Sequence, residues 1–254
     1  MLNSTERFSS RVDDYIKYRP YYPQDVIQLL TTECNLTPSW TVGDIGSGPG
    51  NLSRLFLDNG NRLYGVEPNK EMREAGERLL SQYDGFISVN GTAEASGLPD
   101  RSVELVTAGQ AFHWFEPLDA RKEFTRILKP GGWVALVWND RNVQENDFSV
   151  GYEKILWKYA HEYPIVNHKG QAEDLGNIEK FFGRMVCRAG YPSSQHFDEQ
   201  GFLGRAFSSS YVPQLGQHGH EEIVAALKDL FAHENVDGKV SFIYDTQVFY
   251  GRLD

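Results

Sequence analysis

Residues 41–56 read TVGDIGSGPGNLSRLF. They run in the order strand, glycine turn, helix. Thr41 to Ile45 is a short apolar strand with Asp44 near its end. Gly46-Ser47-Gly48-Pro49-Gly50 is a turn, because glycine takes backbone shapes that side chains forbid. Asn51 to Asn59 places Leu52, Leu55 and Phe56 on one helical face. The same rhythm recurs downstream. Strands are expected at Arg62 to Glu67, Phe86 to Asn90, Val103 to Ala108 and Trp133 to Trp138. Helices are expected at Asn69 to Gln82 and Pro117 to Leu128, and Lys129-Pro130-Gly131-Gly132 is a tight turn. Strands alternating with helices imply parallel βαβ units with right-handed crossovers, hence an α/β doubly wound sheet. Apolar runs such as WVALVW (133–138) suit strands buried on both faces.

The flanks follow other rules. Residues 1–39 form an N-terminal helical arm with Val26, Ile27, Leu29 and Leu30 on its apolar face. Residues 40–140 form the ligand-binding core. After Asp140 the rhythm breaks, and helices are expected at Val150 to Tyr163 and Ile178 to Ala189. Residues 141–205 therefore read as an insertion that covers the sheet's carboxyl edge. Ala206 to Val212 and Val240 to Tyr250 read as the final strand pair, with an amphipathic helix at Glu221 to His233 between them. The whole, 1–254, is expected to be one domain.

Composition narrows the function classes. The chain is 40% apolar and 24% charged, the balance of a folded globular protein. Its net charge of −10 opposes a broad footprint on nucleic acid or anionic lipid. Cys34 and Cys187 are too few for a disulfide framework and read as free thiols in a reducing compartment. The charged N-terminus lacks a secretory apolar run, and no stretch reaches the ~18 apolar residues of a membrane span. A cytoplasmic location is expected. His218 and His220 lack an indicated third ligand, so no metal site is expected.

Three ligand classes compete for the glycine turn, which lies where open α/β sheets bind ligands. A mononucleotide-phosphate loop needs Lys and Ser or Thr after its last glycine, and Asn51-Leu52 stands there. A dinucleotide loop needs a glycine at position 51. The turn carries no cation, and Asp44 precedes it, which disfavours a pyrophosphate. S-adenosylmethionine has the opposite signs, two cationic centres against one carboxylate. Asp44 suits its ammonium, the helix N-terminus its carboxylate, and Glu67 its ribose hydroxyls.

VGDIGSGPGNLSRLF, YGVEPNKEM, GTAEASGLPDRSVELVTAGQAFHWF and RILKPGGWVALVW occur in that order over about 100 residues. Together they resemble the class I S-adenosylmethionine-dependent methyltransferases, small-molecule subgroup, similar to the trans-aconitate methyltransferase-like proteins. The lead-in RVDDYIKYRPYYP and the tail VSFIYDTQVFYGRL are also similar to that subgroup. The resemblance implies a mostly parallel seven-stranded, Rossmann-like sheet with helices on both faces and a helical insertion after strand five. It implies that Gly46, Ser47 and Gly48 line the methionine part of the cofactor, with Asp44 near its ammonium. Glu67 would hold the ribose, with Pro68 and Met72 near the adenine and Thr92, Ala93 and Glu94 at its edge. Gln110 and Ala111 would lie beside the sulfonium, and Tyr18 and Arg19 would close over the cofactor. Phe112 and Trp114 would face the substrate.

The activity so implied is methyl transfer to a small molecule, with a carboxylate as one candidate acceptor, Arg19, Arg141 and Arg205 as the unplaced candidates to hold such an anion, and S-adenosylhomocysteine as product. Such a reaction requires placement, orientation and a deprotonated nucleophile. His113 is the candidate general base, since imidazole titrates near neutrality. The alternatives are a cofactor-binding protein without catalysis and a nicotinamide-dependent oxidoreductase. Neither nucleic acid nor membrane is an expected partner.

Overall fold

The computed structural model describes residues 16–164, 172–183 and 186–253. The start of the lead-in read above, up to Tyr15, lies outside the described residues. In chain order the elements are α1 Asp25–Cys34, β1 Thr41–Ile45, α2 Asn51–Asp58, β2 Arg62–Val66, α3 Lys70–Leu79, β3 Phe86–Val89, β4 Val103–Gly109, α4 Pro117–Ile127 and β5 Leu128–Arg141. There follow α5 Asp147–Tyr159, α6 Ala172–Phe182, β6 Cys187–Phe197, α7 Glu199–Phe207, α8 His220–Glu234 and β7 Val240–Gly251.

The seven strands form one sheet in the order β3-β2-β1-β4-β5-β7-β6. The first five pair in parallel, and β7 runs antiparallel between β5 and β6. Chain order reverses between β1 and β4, so their carboxyl ends open a crevice there. This is the mostly parallel, doubly wound sheet expected from the sequence.

Strand alternation divides the core between the two faces. Val134, Leu136 and Trp138 join Phe124, Ile127, Phe181 and Phe182 of α4 and α6 on one side. Ala135 and Val137 join Val26, Leu30, Leu52 and Phe56 of α1 and α2 on the other. A third cluster packs α5, α7 and α8 against the start of β7, through Phe148, Tyr152, Phe202, Leu227 and Phe242.

Several sequence expectations fail after Asp140. Ala206–Val212 is not a strand: Ala206 ends inside α7, which Asp198 caps by accepting the Gly201 amide at 2.8 Å. The sheet's penultimate strand is β6, where a helix was expected as far as Ala189. The expected insertion 141–205 is therefore interrupted by a sheet strand. β6 is an edge strand with alternating half-exposure, so it lacks the apolar signature of a buried one. Pro192 sits within it, which only an edge tolerates because proline donates no ladder bond. β5 also starts earlier than Trp133, with a register shift opposite Val103–Leu105 that absorbs the Lys129–Gly132 turn.

Candidate active site

The glycine turn is fastened from below and behind. The Gly46 and Ser47 amides donate to the Val66 carbonyl of β2 at 2.8 and 3.1 Å. Gly46 has φ +69°, and a Cβ there would come within 2.7 Å of the Ala111 Cβ. Only glycine lets the β1 turn and the loop after β4 approach so closely. Gly48 differs: at φ +54° a Cβ would meet nothing within 4 Å. Gly48 lines a cavity at the β1–β4 crevice, and Asn51 and Leu52 of the α2 N-terminus line it too.

Two carboxylates line the same cavity. Asp44 is fully buried, and its Oδ2 accepts the Ser53 hydroxyl at 2.5 Å. Its Oδ1 is buried with no hydrogen-bond partner among the described residues. Desolvation pushes its pKa up to about 7, partly offset by the Ser53 bond. An uncompensated carboxylate oxygen of this kind is a receptor for a cationic donor. Glu67, just past β2, accepts the Gly48 amide on Oε2 at 2.9 Å and the Asn69 amide on Oε1 at 2.8 Å. Burial raises its pKa, against the pull of those two amides. Each oxygen keeps a further lone pair for a hydroxyl donor.

The remaining walls come from successive strand ends. Met72 follows the α3 cap, where Asn69 Oδ1 accepts the Met72 amide at 2.8 Å. Pro68, Thr92, Ala93 and Glu94 complete that side. Glu94 accepts the Glu116 amide at 2.9 Å, so it also ties down the loop before α4. Gln110 has φ +54°, a left-handed shape rare outside glycine and asparagine. Its amide donates to Val137 O and its Nε2 to Asn139 O, which hold it there. Asn139 in turn donates to the Tyr21 carbonyl of the arm and accepts the Thr246 hydroxyl at 2.7 Å.

The matches to known proteins agree with this geometry. A family model for the methyltransferase domain matches residues 43–136. An uncharacterized methyltransferase-like protein of Schizosaccharomyces pombe is 31% identical over 248 residues, covering 95% of this chain and 93% of the relative. The chain belongs to the methyltransferase family. A second fission-yeast methyltransferase is 35% identical over 136 residues, where the match spans 53% of each protein. The fold is also that of the solved structure named "Putative Type II Methyltransferase from Anaeromyxobacter dehalogenans", with TM-score 0.70 at 20% identity over 93% of this chain and 98% of that one.

Against this methyltransferase framework, the sequence-derived site divides clearly. Arg19, Asp44, Gly46, Ser47, Gly48, Glu67, Pro68, Met72, Thr92, Ala93, Glu94, Gln110, Ala111 and Trp114 all line the one cavity. Three residues do not. Tyr18 is buried under α7, against the space a Cβ at Gly204 would fill, and its ring meets Phe197 edge-on at 6.2 Å. It anchors the arm, and its neighbour Arg19 is the one that reaches the cavity. Phe112 is 1% exposed, with Phe115, Trp138 and Phe181 edge-on around it, so it is core rather than substrate wall.

His113 is outside the cavity lining and tilts against Trp114 at 4.8 Å. It keeps an exposed surface, while the protein packed around it lowers its pKa to about 4. The imidazole is therefore neutral at pH 7. The candidate general base is thus neutral and stands outside the cavity wall.

Sequence reasoning missed Asn139 and Gly109 as wall residues and left Arg205 unplaced. Asn139 carried a usable signal, a polar side chain directly after the apolar run of β5. Arg205, a candidate by its charge, had no placement because the α7 that presents it was read as loop and strand.

Proposed function

We propose that this protein transfers the methyl group of S-adenosylmethionine to a small-molecule acceptor. The observation that carries this reading is the lone, buried Oδ1 of Asp44 beside a turn whose Gly48 offers open space for a ligand. The ammonium of the cofactor satisfies that oxygen. Its ribose hydroxyls match the spare lone pairs of Glu67, and Met72 and Ala93 give the apolar contact its adenine needs. Bound there, the cofactor supplies an activated methyl on a sulfonium.

The chain supplies placement. Gln110, locked by its Val137 and Asn139 bonds, is the residue assigned in this reading to the side of the transferred group. Trp114 and Phe115 provide aromatic faces on the cavity wall, which favour a cation by ~0.5–2 kcal/mol depending on desolvation. Holding the reactants in line at about 3–3.5 Å accounts for much of the rate. A small acceptor suits a cavity roofed by the Arg19–Tyr22 arm and α7, and the net charge of −10 disfavours a nucleic acid. A carboxylate oxygen is the acceptor that dispenses with a general base, consistent with the position of His113. Two free cysteines fit a reducing, cytoplasmic setting, and among the described residues no helix is long and apolar enough to cross a membrane.

The test is calorimetric titration with S-adenosylmethionine, S-adenosylhomocysteine and NAD, followed by labelled-methyl transfer to a panel of small acids and amines. Binding of the first two but not NAD supports the reading. Binding without transfer to any acceptor favours the non-catalytic alternative.

A further inference from the structure

The cavity wall is acidic at one end and basic at the other. Asp44 and Glu67 flank the glycine turn, whereas Arg19 and Arg205 meet at the Ser208–Ser209 turn. The proposed cofactor accounts for the acids and leaves Arg205 without a function. Arg205 is 6% exposed. Its Nε donates to the Tyr244 hydroxyl at 3.0 Å and its Nη1 to Ser209 Oγ at 3.3 Å. Its guanidinium carbon lies 5.4 Å from the Phe242 ring and 5.9 Å from the Tyr244 ring. Among the described residues no carboxylate pairs with it. Hydroxyls and rings orient a guanidinium and do not neutralise it.

A second arginine stands behind. Arg141 lies directly across the β5–β7 ladder from Tyr244. It pairs with Glu153, yet its Nη1 is buried with no partner. The buried Tyr152 hydroxyl, whose ring lies 4.8 Å from the Arg141 guanidinium, has none either. Glu153 pairs with Arg141 alone, so the buried Arg205 charge beside it is left uncompensated. A buried charge without a counterion is strongly unfavourable. A ligand that supplies the missing charge removes that penalty.

We propose that Arg205 anchors an oxyanion of the methyl acceptor, a carboxylate or a phosphate monoester, with the Arg141–Glu153 pair standing behind it. Arg205 is then a specificity-determining residue: it selects acceptors with an anionic group over neutral analogues of the same shape. Tyr244 is its positioning residue. The inference rests on the methyltransferase reading, which assigns the acidic end of the cavity to the cofactor.

The experiment measures binding of citrate, succinate, succinamide and glycerol phosphate to the S-adenosylhomocysteine-saturated protein by calorimetry and thermal shift. At least one of the oxyanions is expected to bind ten-fold or more tightly than succinamide. The carboxylate and phosphate arms identify which source the subsite prefers. Arg205→Gln is expected to reduce that binding ten-fold or more with S-adenosylhomocysteine affinity unchanged within two-fold, and Arg205→Lys to retain part of it. Equal binding of acid and amide, or no binding of any oxyanion probe, would overturn the proposal. So would an Arg205→Gln variant that loses S-adenosylhomocysteine, since the arginine would then serve the cofactor's own carboxylate. If Arg205→Gln does not fold, the acid-to-amide ratio of the wild type and of Tyr244→Phe decides. Failure of the wild type to bind S-adenosylhomocysteine would instead sink the cofactor reading, and the same probes on the ligand-free protein would still judge the subsite.

Discussion

Glu67 Oε2 accepts the Gly48 amide at 2.9 Å, so the carboxylate just past β2 holds the turn that follows β1. One side chain sets the turn's shape and faces the cavity with its remaining lone pairs. Loop geometry and ligand recognition are therefore coupled through a single residue.

Glu67→Ala removes both functions. Cofactor affinity should fall by ~1.5–3 kcal/mol, the range for hydrogen bonds to a charged group. Thermal stability should also drop, because the Gly48 and Asn69 amides lose their acceptor. Calorimetry showing wild-type affinity would remove Glu67 from the ribose site.

Asp44 gives a pH signature. Burial pushes its pKa up to about 7 in the ligand-free protein, and only its ionised form attracts an ammonium. Affinity for S-adenosylhomocysteine should be flat above pH 7 and weaken up to about tenfold per pH unit below it. Titrations between pH 5.5 and 8.5 with no such break would contradict the Asp44 contact.

Asp44→Asn should separate stability from binding. A carboxyl raised above its ordinary 3.8 binds its proton more tightly when folded, so ionisation destabilises the fold. That penalty is fully present above pH 7 and disappears as pH falls toward 4. The neutral variant should therefore be more stable than wild type at pH 8, by roughly 1–3 kcal/mol in unfolding free energy, and converge with it near pH 4. Its cofactor affinity should be much lower. A variant less stable at pH 8 would mean that Asp44 has a counter-charge in the free protein.

Gly48→Val should abolish cofactor binding while the protein still folds. The new side chain enters open cavity, and the left-handed φ of +54° adds strain of about 1–2 kcal/mol or more. Retained binding with a modest loss of melting temperature would place the ligand elsewhere.

His113→Ala should leave both cofactor affinity and turnover within about threefold of wild type, because His113 is not part of the cavity wall. A loss of turnover at constant affinity, measured by labelled-methyl transfer, would restore its role as a base.

The stretch from β1 to β5 was legible because each βα unit carries local chemistry: an apolar strand, a glycine or asparagine turn and a periodic helix. Asp44 and Glu67 stand at strand ends, and residues at strand ends reach the crevice whatever the loops do. Beyond Arg141 the information is tertiary. β6 is a strand only because β7 offers it a partner, and its Gly190 and Pro192 argue locally against that state. Arg205 is a cavity residue only because α7 folds over the sheet's edge. Phe112 and His113 were misplaced for a related reason. The short helical turn Phe112–Trp114 sends one side chain into the core and leaves its neighbour outside the cavity, a rotation that the string Phe-His-Trp does not reveal.

The most direct test is a crystal structure of the protein with S-adenosylhomocysteine. The account predicts the amino nitrogen within hydrogen-bonding distance of Asp44 Oδ1, the ribose hydroxyls on Glu67 and the space over Gly48 filled. A nucleoside bound at another surface, or a diphosphate seated on the glycine turn, would contradict it.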